Sequence, residues 1–161
     1  MISTRKKLLL LPIGIALLLI AYFGPSAYRK AEMDKEVDRL CAVDGGVKVY
    51  ERIALPKESF DNRGNPKIPF KGGRASDKSQ YVVEDRSTKV ENRGGVGTKS
   101  LTLHRFHYQV IRVDDNKVLG EAISYSRAGG DPEGPWQPSS YRGVCTEQAD
   151  SFQHAIFVRQ N

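Results

Sequence analysis

The sequence predicts an α+β protein: an N-terminal single transmembrane helix followed by a small antiparallel-sheet domain closed by one disulfide. Three observations predict it. Leu8–Phe23, LLLLPIGIALLLIAYF, is an apolar run preceded by Arg5, Lys6 and Lys7. The 161-residue chain has two cysteines, Cys41 and Cys145, which nearly bracket everything after that run. Residues 101–126 alternate around a polar turn, as a β-hairpin does, while a helical period is confined to the stretch before Cys41.

The basic start and apolar run fit a secretory signal, either cleaved or kept as an anchor. The uncharged stretch between Lys7 and Arg29, residues 8–28, covers ~31 Å as a helix, close to a ~30 Å hydrocarbon core. Tyr22, Phe23 and Tyr28 then fall where interfacial aromatics belong. Pro12 and Gly14 are tolerated in membrane helices. Cleavage before Ala27 would use Gly24 and Ser26, but Pro25 stands between them, so the segment reads as a retained signal-anchor. Residues 1–7 are then the cytoplasmic n-region, oriented by Arg5, Lys6 and Lys7. Arg29, Lys30 and Lys35 make the charge asymmetry small, and the cysteine pair favours an exported C-terminal domain. An even pair in an oxidising compartment reads as a disulfide, Cys41–Cys145; in the cytosol it would read as two buried thiols.

Residues 29–40 form a linking helix in which Met33, Val37 and Leu40 share one face. Three apolar positions are too few for a coiled coil, so this face packs on its own domain, residues 41–161. Asp44-Gly45-Gly46 is a turn, and residues 47–55 read as one strand with Val47, Val49 and Ile53 on one side, ended by Pro56. Residues 57–79 are loop-like, with Phe60, Ile68 and Phe70 as the side chains that pin the loop to the core. Tyr81-Val82-Val83 is a short strand, and residues 91–100 are a glycine-rich connection. In the hairpin, Thr102, His104, Phe106, Tyr108 and Val110 lie on one face and Leu103, Arg105, His107, Gln109, Ile111 and Val113 on the other. Neither face is wholly polar, as in strands covered partly on both sides. Prolines and glycines predict an irregular loop over 127–145, followed by a helical turn and a last strand at 154–158.

Charge and motif exclude more than they assign. Three of the 25 Lys/Arg precede the apolar run; beyond it, residues 61–112 are basic and 113–161 acidic, a dipolar pattern that argues against nucleic-acid binding. His104 and His107 point to opposite faces of a strand and cannot share a metal ion. Residues 94–100 echo a phosphate-binding loop but lack its spacing and precede a strand, not a helix. No GxSxG elbow is present. The sequence therefore predicts no catalytic residues, no metal site and no cofactor.

Two loops are the candidate partner-binding surfaces. In residues 128–142, proline-stiffened GGDPEGPW presents Asp131 and Trp136, with Tyr141 close behind; Trp136 alternatively plugs the core. In the basic loop, Arg63, Lys67, Lys71 and Arg74 suit anionic headgroups or an acidic partner.

Cys41-Ala42-Val43-Asp44-Gly45-Gly46-Val47-Lys48-Val49-Tyr50-Glu51, followed by Leu55-Pro56 and Phe60-Asp61, with Leu119-Gly120-Glu121, Ser124-Tyr125 and Arg127-Ala128-Gly129-Gly130-Asp131 much later, resembles a family of small uncharacterised proteobacterial membrane-anchored proteins. The resemblance covers about residues 41–145. It implies a bacterial origin and an envelope location, and no activity. The expected role is a membrane-tethered extracytoplasmic binding or accessory module of the bacterial inner membrane, N-terminus cytoplasmic and domain periplasmic. Its expected partners are the lipid bilayer, through residues 8–28, and an envelope protein. Two other expectations are an immunity or exclusion protein acting at the membrane, and an envelope hydrolase, which would need acids or histidines converging on a pocket.

Overall fold

The computed structural model describes residues 4–94, 100–132, 134–135 and 137–160, with side chains from residue 12 onward except at residue 150. The first element, α1 (Thr4–Asp44), is one continuous helix of 41 residues. The expected boundary between an anchor and a separate linking helix is absent, because Tyr28-Arg29-Lys30-Ala31 contains nothing that breaks a helix. The helix stops where two glycines follow: the Gly45 N–H donates to the Cys41 carbonyl (3.0 Å), and Gly46 adopts φ +112°, a conformation glycine takes at little cost. Among the described residues no helix is long and apolar enough to cross a membrane. The side chains of Leu8–Leu11, four of the most apolar residues in the expected span, lie outside that description.

The predicted strand 47–55 is two strands, β1 (Gly46–Val49) and β2 (Ile53–Leu55). Between them the Tyr50 and Glu51 N–H groups both turn to the Leu119 carbonyl (2.9 and 3.0 Å), which takes the chain out of the main sheet. Val47, Val49 and Ile53 nevertheless pack on the same core. After the long loop come β3 (Tyr81–Asp85), β4 (Thr88–Arg93), β5 (Leu101–Arg112), β6 (Lys117–Ala128), β7 (Ser140–Arg142), α2 (Cys145–Asp150), α3 (Phe152–Ile156) and β8 (Phe157–Arg159).

The hairpin β5–β6 is the spine of the main sheet, whose order is β1-β6-β5-β3, antiparallel throughout. Its 12-residue strands are longer than any neighbour, so each outer edge takes two short strands end to end: β3 and β4 on β5, β1 and β7 on β6. Neither β4 nor β7 was expected: β4 runs into the start of the predicted connection 91–100, and β7 lies within the predicted loop 127–145. An unpaired edge of a long strand offers N–H and C=O groups that a short extended segment satisfies, whatever its own propensity. Residues 95–99, the middle of the predicted glycine-rich connection, lie outside the described residues. In the hairpin turn the Lys117 N–H donates to Asp115 Oδ1 (3.1 Å), and Asn116 takes φ 55°. The register slips between Val110↔Gly120 and Ile111↔Val118, leaving Leu119 as a bulge whose carbonyl receives Tyr50 and Glu51. β2 and β8 pair in parallel as a separate small sheet. The predicted last strand loses its first half, since His154 to Ile156 complete α3 and bury Ile156 beside Phe152.

Both faces of the spine are covered. One buries Tyr81, Val83, Val110, Leu119 and Ala122 against Phe60, Phe152, Ile156 and Phe157. The other receives α1, whose Met33, Val37 and Cys41 pack on Leu101, Leu103 and Ile123. Of the three side chains expected to pin the 57–79 loop, Phe60 is buried and Ile68 half-buried, but Phe70 is exposed, its ring edge-to-face with Tyr108 at 6.3 Å between centroids. Cys41 and Cys145 are joined (S–S 2.04 Å), tying the last turn of α1 to the start of α2.

Candidate functional site

Ser26, Lys30, Asp34 and Asp38 are four residues apart and therefore form one stripe of α1, next to the apolar stripe of Met33 and Val37. Each is bonded to the domain. Ser26 Oγ donates to the Gly130 carbonyl. Lys30 Nζ pairs with Asp131 (2.7 Å), Arg127 Nε with Asp34 (2.5 Å), and the Tyr141 hydroxyl with the Asp38 carboxylate (2.9 Å). At the end of the helix, Asp44 accepts from the Tyr125 hydroxyl (2.8 Å) and from Arg105 (3.0 Å). Arg127, only 4% exposed, also donates to the Gly129 carbonyl (2.8 Å) and Ser139 Oγ (3.1 Å). These contacts shift the ionisation of Asp131, Asp44 and Tyr141. Burial pushes the Asp131 carboxyl up, but Lys30 and the Ser139 N–H outweigh it and hold the group down to about 2. The Tyr125 hydroxyl, helped by Arg105, lowers the Asp44 carboxyl, and Asp38 raises the Tyr141 phenol.

Two of the residues singled out for partner binding, Asp131 and Tyr141, thus point into this seam and anchor their loop to α1. Trp136 lies outside the described residues. Arg63, Lys67, Lys71 and Arg74 are all exposed, on the loop joining β2 to β3. Lys71 pairs with Glu84 (3.2 Å), and Lys67 Nζ donates to the Glu58 carbonyl (3.2 Å). The Lys71 N–H bonds the carbonyl of Val83, which pairs with Val110. Val110 is nine residues along β5 from the Leu101 end, ~30 Å of strand. The two predicted surfaces are therefore at opposite ends of the sheet and do not form one site.

A third cluster went unrecognised in the sequence. On the face that α1 covers, beyond the helix C-terminus, Lys48, Glu121, Gln109 and Glu84 form one row across four strands. Glu121 is its hub. Oε1 accepts from the Tyr50 hydroxyl (2.7 Å) with Lys48 Nζ at 3.5 Å; Oε2 meets His107 Nε2 (2.9 Å) and Gln109 Nε2 (3.4 Å). The Tyr50 hydroxyl, followed by His107, Gln109 and Lys48, overcomes burial and lowers the Glu121 carboxyl to about 2. Held ionised, this carboxylate is an acceptor and not a proton donor at neutral pH; it orients His107 and Tyr50. The available signal was a glutamate inside the apolar-rich strand VLGEAISY, on the hairpin face of His107 and Gln109. The three histidines stay apart: His104 stacks on Phe106 on the other face, and His154 bonds Asn65 (3.0 Å). Among the described residues no three His, Cys, Asp or Glu side chains are grouped to hold a metal.

A groove of about 480 Å³ separates the outer side of α1 from β4, lined by Tyr28, Ala31, Glu32, Lys35, Glu36, Glu91 and Arg93. Arg93 Nε bonds Glu91 (2.6 Å), and Arg39 bonds Glu36 (2.7 Å).

The fold and these sites define an α+β domain with an antiparallel sheet and one disulfide, one face of which is locked onto the second half of a long helix. No known protein family, characterised protein or solved structure matches the chain.

Proposed function

We propose that the protein is a membrane-tethered binding or accessory module on the outer face of the bacterial inner membrane, held through residues 8–28 with its N-terminus in the cytoplasm. The observation that carries this reading is the division of α1. Ile15, Leu17, Leu18, Leu19, Ile20 and Tyr22 are all at least half exposed, Leu18 at 72%. From Ser26 onward the helix bonds or packs against the domain in every turn. A contiguous exposed apolar helix surface of this size needs a nonaqueous cover, and the change from bare to docked coincides with the end of the uncharged stretch 8–28. The disulfide supports an oxidising compartment. The seam leaves no free linker between tether and domain, so the module presents a fixed face, with the Glu121 row and the basic loop toward the end of the sheet opposite Ser26.

The full chain expressed in a bacterial host tests this. The expected result is a carbonate-resistant membrane protein, degraded by protease added to spheroplasts, whose cysteines react with maleimide only after reduction. Recovery in the soluble fraction, or thiols that react without reduction, would overturn the reading.

A further inference from the structure

The groove between α1 and β4 starts where the proposed span ends. Tyr28 closes the uncharged stretch, Glu32, Lys35 and Glu36 climb the following turns, and Glu91 and Arg93 form the opposite wall. From Tyr28 to Glu36 the helix rises ~12 Å, enough to cross the polar layer of roughly 5–8 Å between hydrocarbon and water. Tyr28 and Ala31 line the groove at its membrane end, where the Tyr28 hydroxyl bonds Glu32. Its walls carry both signs of charge: three carboxylates, and the two cations Lys35 and Arg93. Lys35 makes no ion pair among the described residues, and Arg93 faces Glu32 and Glu36 across the groove besides its bond to Glu91.

We propose that this groove binds the headgroup of a zwitterionic phospholipid carrying a primary ammonium, its phosphate toward Lys35 and Arg93 and its ammonium among Glu32, Glu36 and Glu91. The chemistry selects against the other common headgroups. An anionic lipid lacks an ammonium for the groove's carboxylates, of which Glu36 is already paired with Arg39. A choline lipid matches the charges but has no N–H to donate to the carboxylates, whereas an ethanolamine lipid supplies three. Charge-assisted hydrogen bonds of this kind are the stronger ones, and they discriminate by geometry as well as by charge. The inference rests on the tether reading, because only a membrane helix over 8–28 puts the groove at headgroup depth.

The test uses the full chain in liposomes of mixed phosphatidylethanolamine, phosphatidylcholine and phosphatidylglycerol. Flotation reads insertion, and native mass spectrometry of the extracted protein reads retained lipid. Flotation in every mixture is expected, with ethanolamine lipid retained over choline lipid by about fivefold, the upper range for one exposed charge pair. The double variant Glu32→Gln, Glu91→Gln is expected to float and melt as before but to lose that preference. Arg93→Gln is expected to lower retention of both zwitterionic lipids. Flotation with equal retention of the three lipids, or preference for the glycerol lipid, overturns the headgroup assignment and leaves the tether standing. Displacement of bound lipid by soluble glycerophosphoethanolamine at equal concentration overturns the assignment to a membrane lipid. Failure to float overturns the tether, and the groove's ligand with it.

Discussion

Glu121 is buried enough to pay for its charge and bonded enough to keep it. Its carboxyl sits at about 2 in the folded protein against 4.5 when free, the depressed direction. It therefore contributes its full stabilisation above about pH 4.5 and loses it as the pH falls toward 2. Asp131, at about 2 against 3.8, acts over nearly the same window. Thermal unfolding followed from pH 7 to 2 is expected to show a midpoint that falls steeply below about pH 5. Glu121→Gln is expected to cost about 1–2 kcal/mol at pH 7, by loss of charged acceptors, and to flatten the acid limb by close to one proton. An acid limb of unchanged slope would mean that Glu121 is not held as described. Its neighbour Gly120 answers to packing alone. A Cβ there would lie 2.7 Å from Ile156 Cδ1 and 2.8 Å from the Lys48 carbonyl oxygen, so Gly120→Ala is expected to cost about 1–3 kcal/mol in a denaturant melt. At this scale the sequence was half legible. Strand parity placed His107 and Gln109 on one face, but the pairing of β6 with β1 brought Lys48 to Glu121. Tyr50 reaches Glu121 only because the chain turns off the sheet at the Leu119 bulge, and no local residue pattern announces that bulge.

At the scale of elements, α1 shows how a correct period can still hide a function. The spacing of Met33, Val37 and Leu40 predicted a helix with its apolar face on the domain, and Met33 and Val37 are fully buried there. The neighbouring stripe of Lys30, Asp34 and Asp38 carries no such signal, because alternating acids and bases look the same on a wet face as on a seam. The difference lies in Arg127, 93 residues later than Asp34. The same distance problem explains β7: local propensity correctly disfavoured regular structure among Pro132, Pro135 and Pro138, but Ser140–Arg142 is recruited by the free edge of β6. The seam predicts a sharp asymmetry in mutagenesis. Asp34→Ala strands a buried guanidinium and is expected to cost about 2–4 kcal/mol, somewhat less than a fully broken buried pair because Arg127 keeps its two carbonyl and hydroxyl acceptors. Removing both charges with Asp34→Leu and Arg127→Met is expected to recover most of that loss. Denaturant melts of Asp34→Leu, of Arg127→Met and of their double variant measure the coupling directly; additive losses would show that the pair carries no shared energy.

For the whole molecule, the question is where the folded unit begins. Composition changes at residue 28 and the disulfide starts at Cys41, so the sequence offers two natural edges. Packing chooses between them. The stretch 26–40 supplies Met33 and Val37 to the second core, and without them Leu101, Leu103 and Ile123 lose their cover. Each such side chain is worth about 1.5–3 kcal/mol when buried, and Arg127 would lose its carboxylate at the same time. That total approaches the 5–15 kcal/mol that typically holds a domain of this size together. A chain of residues 26–161 is therefore expected to unfold in one cooperative transition. A chain of residues 41–161 keeps every strand and both cysteines, yet is expected to show no sharp transition and to bind hydrophobic dye. The disulfide does not replace the missing half-helix. Closing a loop of 104 residues raises the unfolded state by up to ~4.7 kcal/mol in the chain-entropy picture but covers no apolar surface in the folded one. Reduction separates the two effects: in 26–161 it should lower the melting temperature and keep the transition cooperative, because the seam remains. If 41–161 melts as sharply as 26–161, the seam is only an attachment. If reduction alone abolishes cooperativity in 26–161, the cross-link and not the helix is what completes the domain.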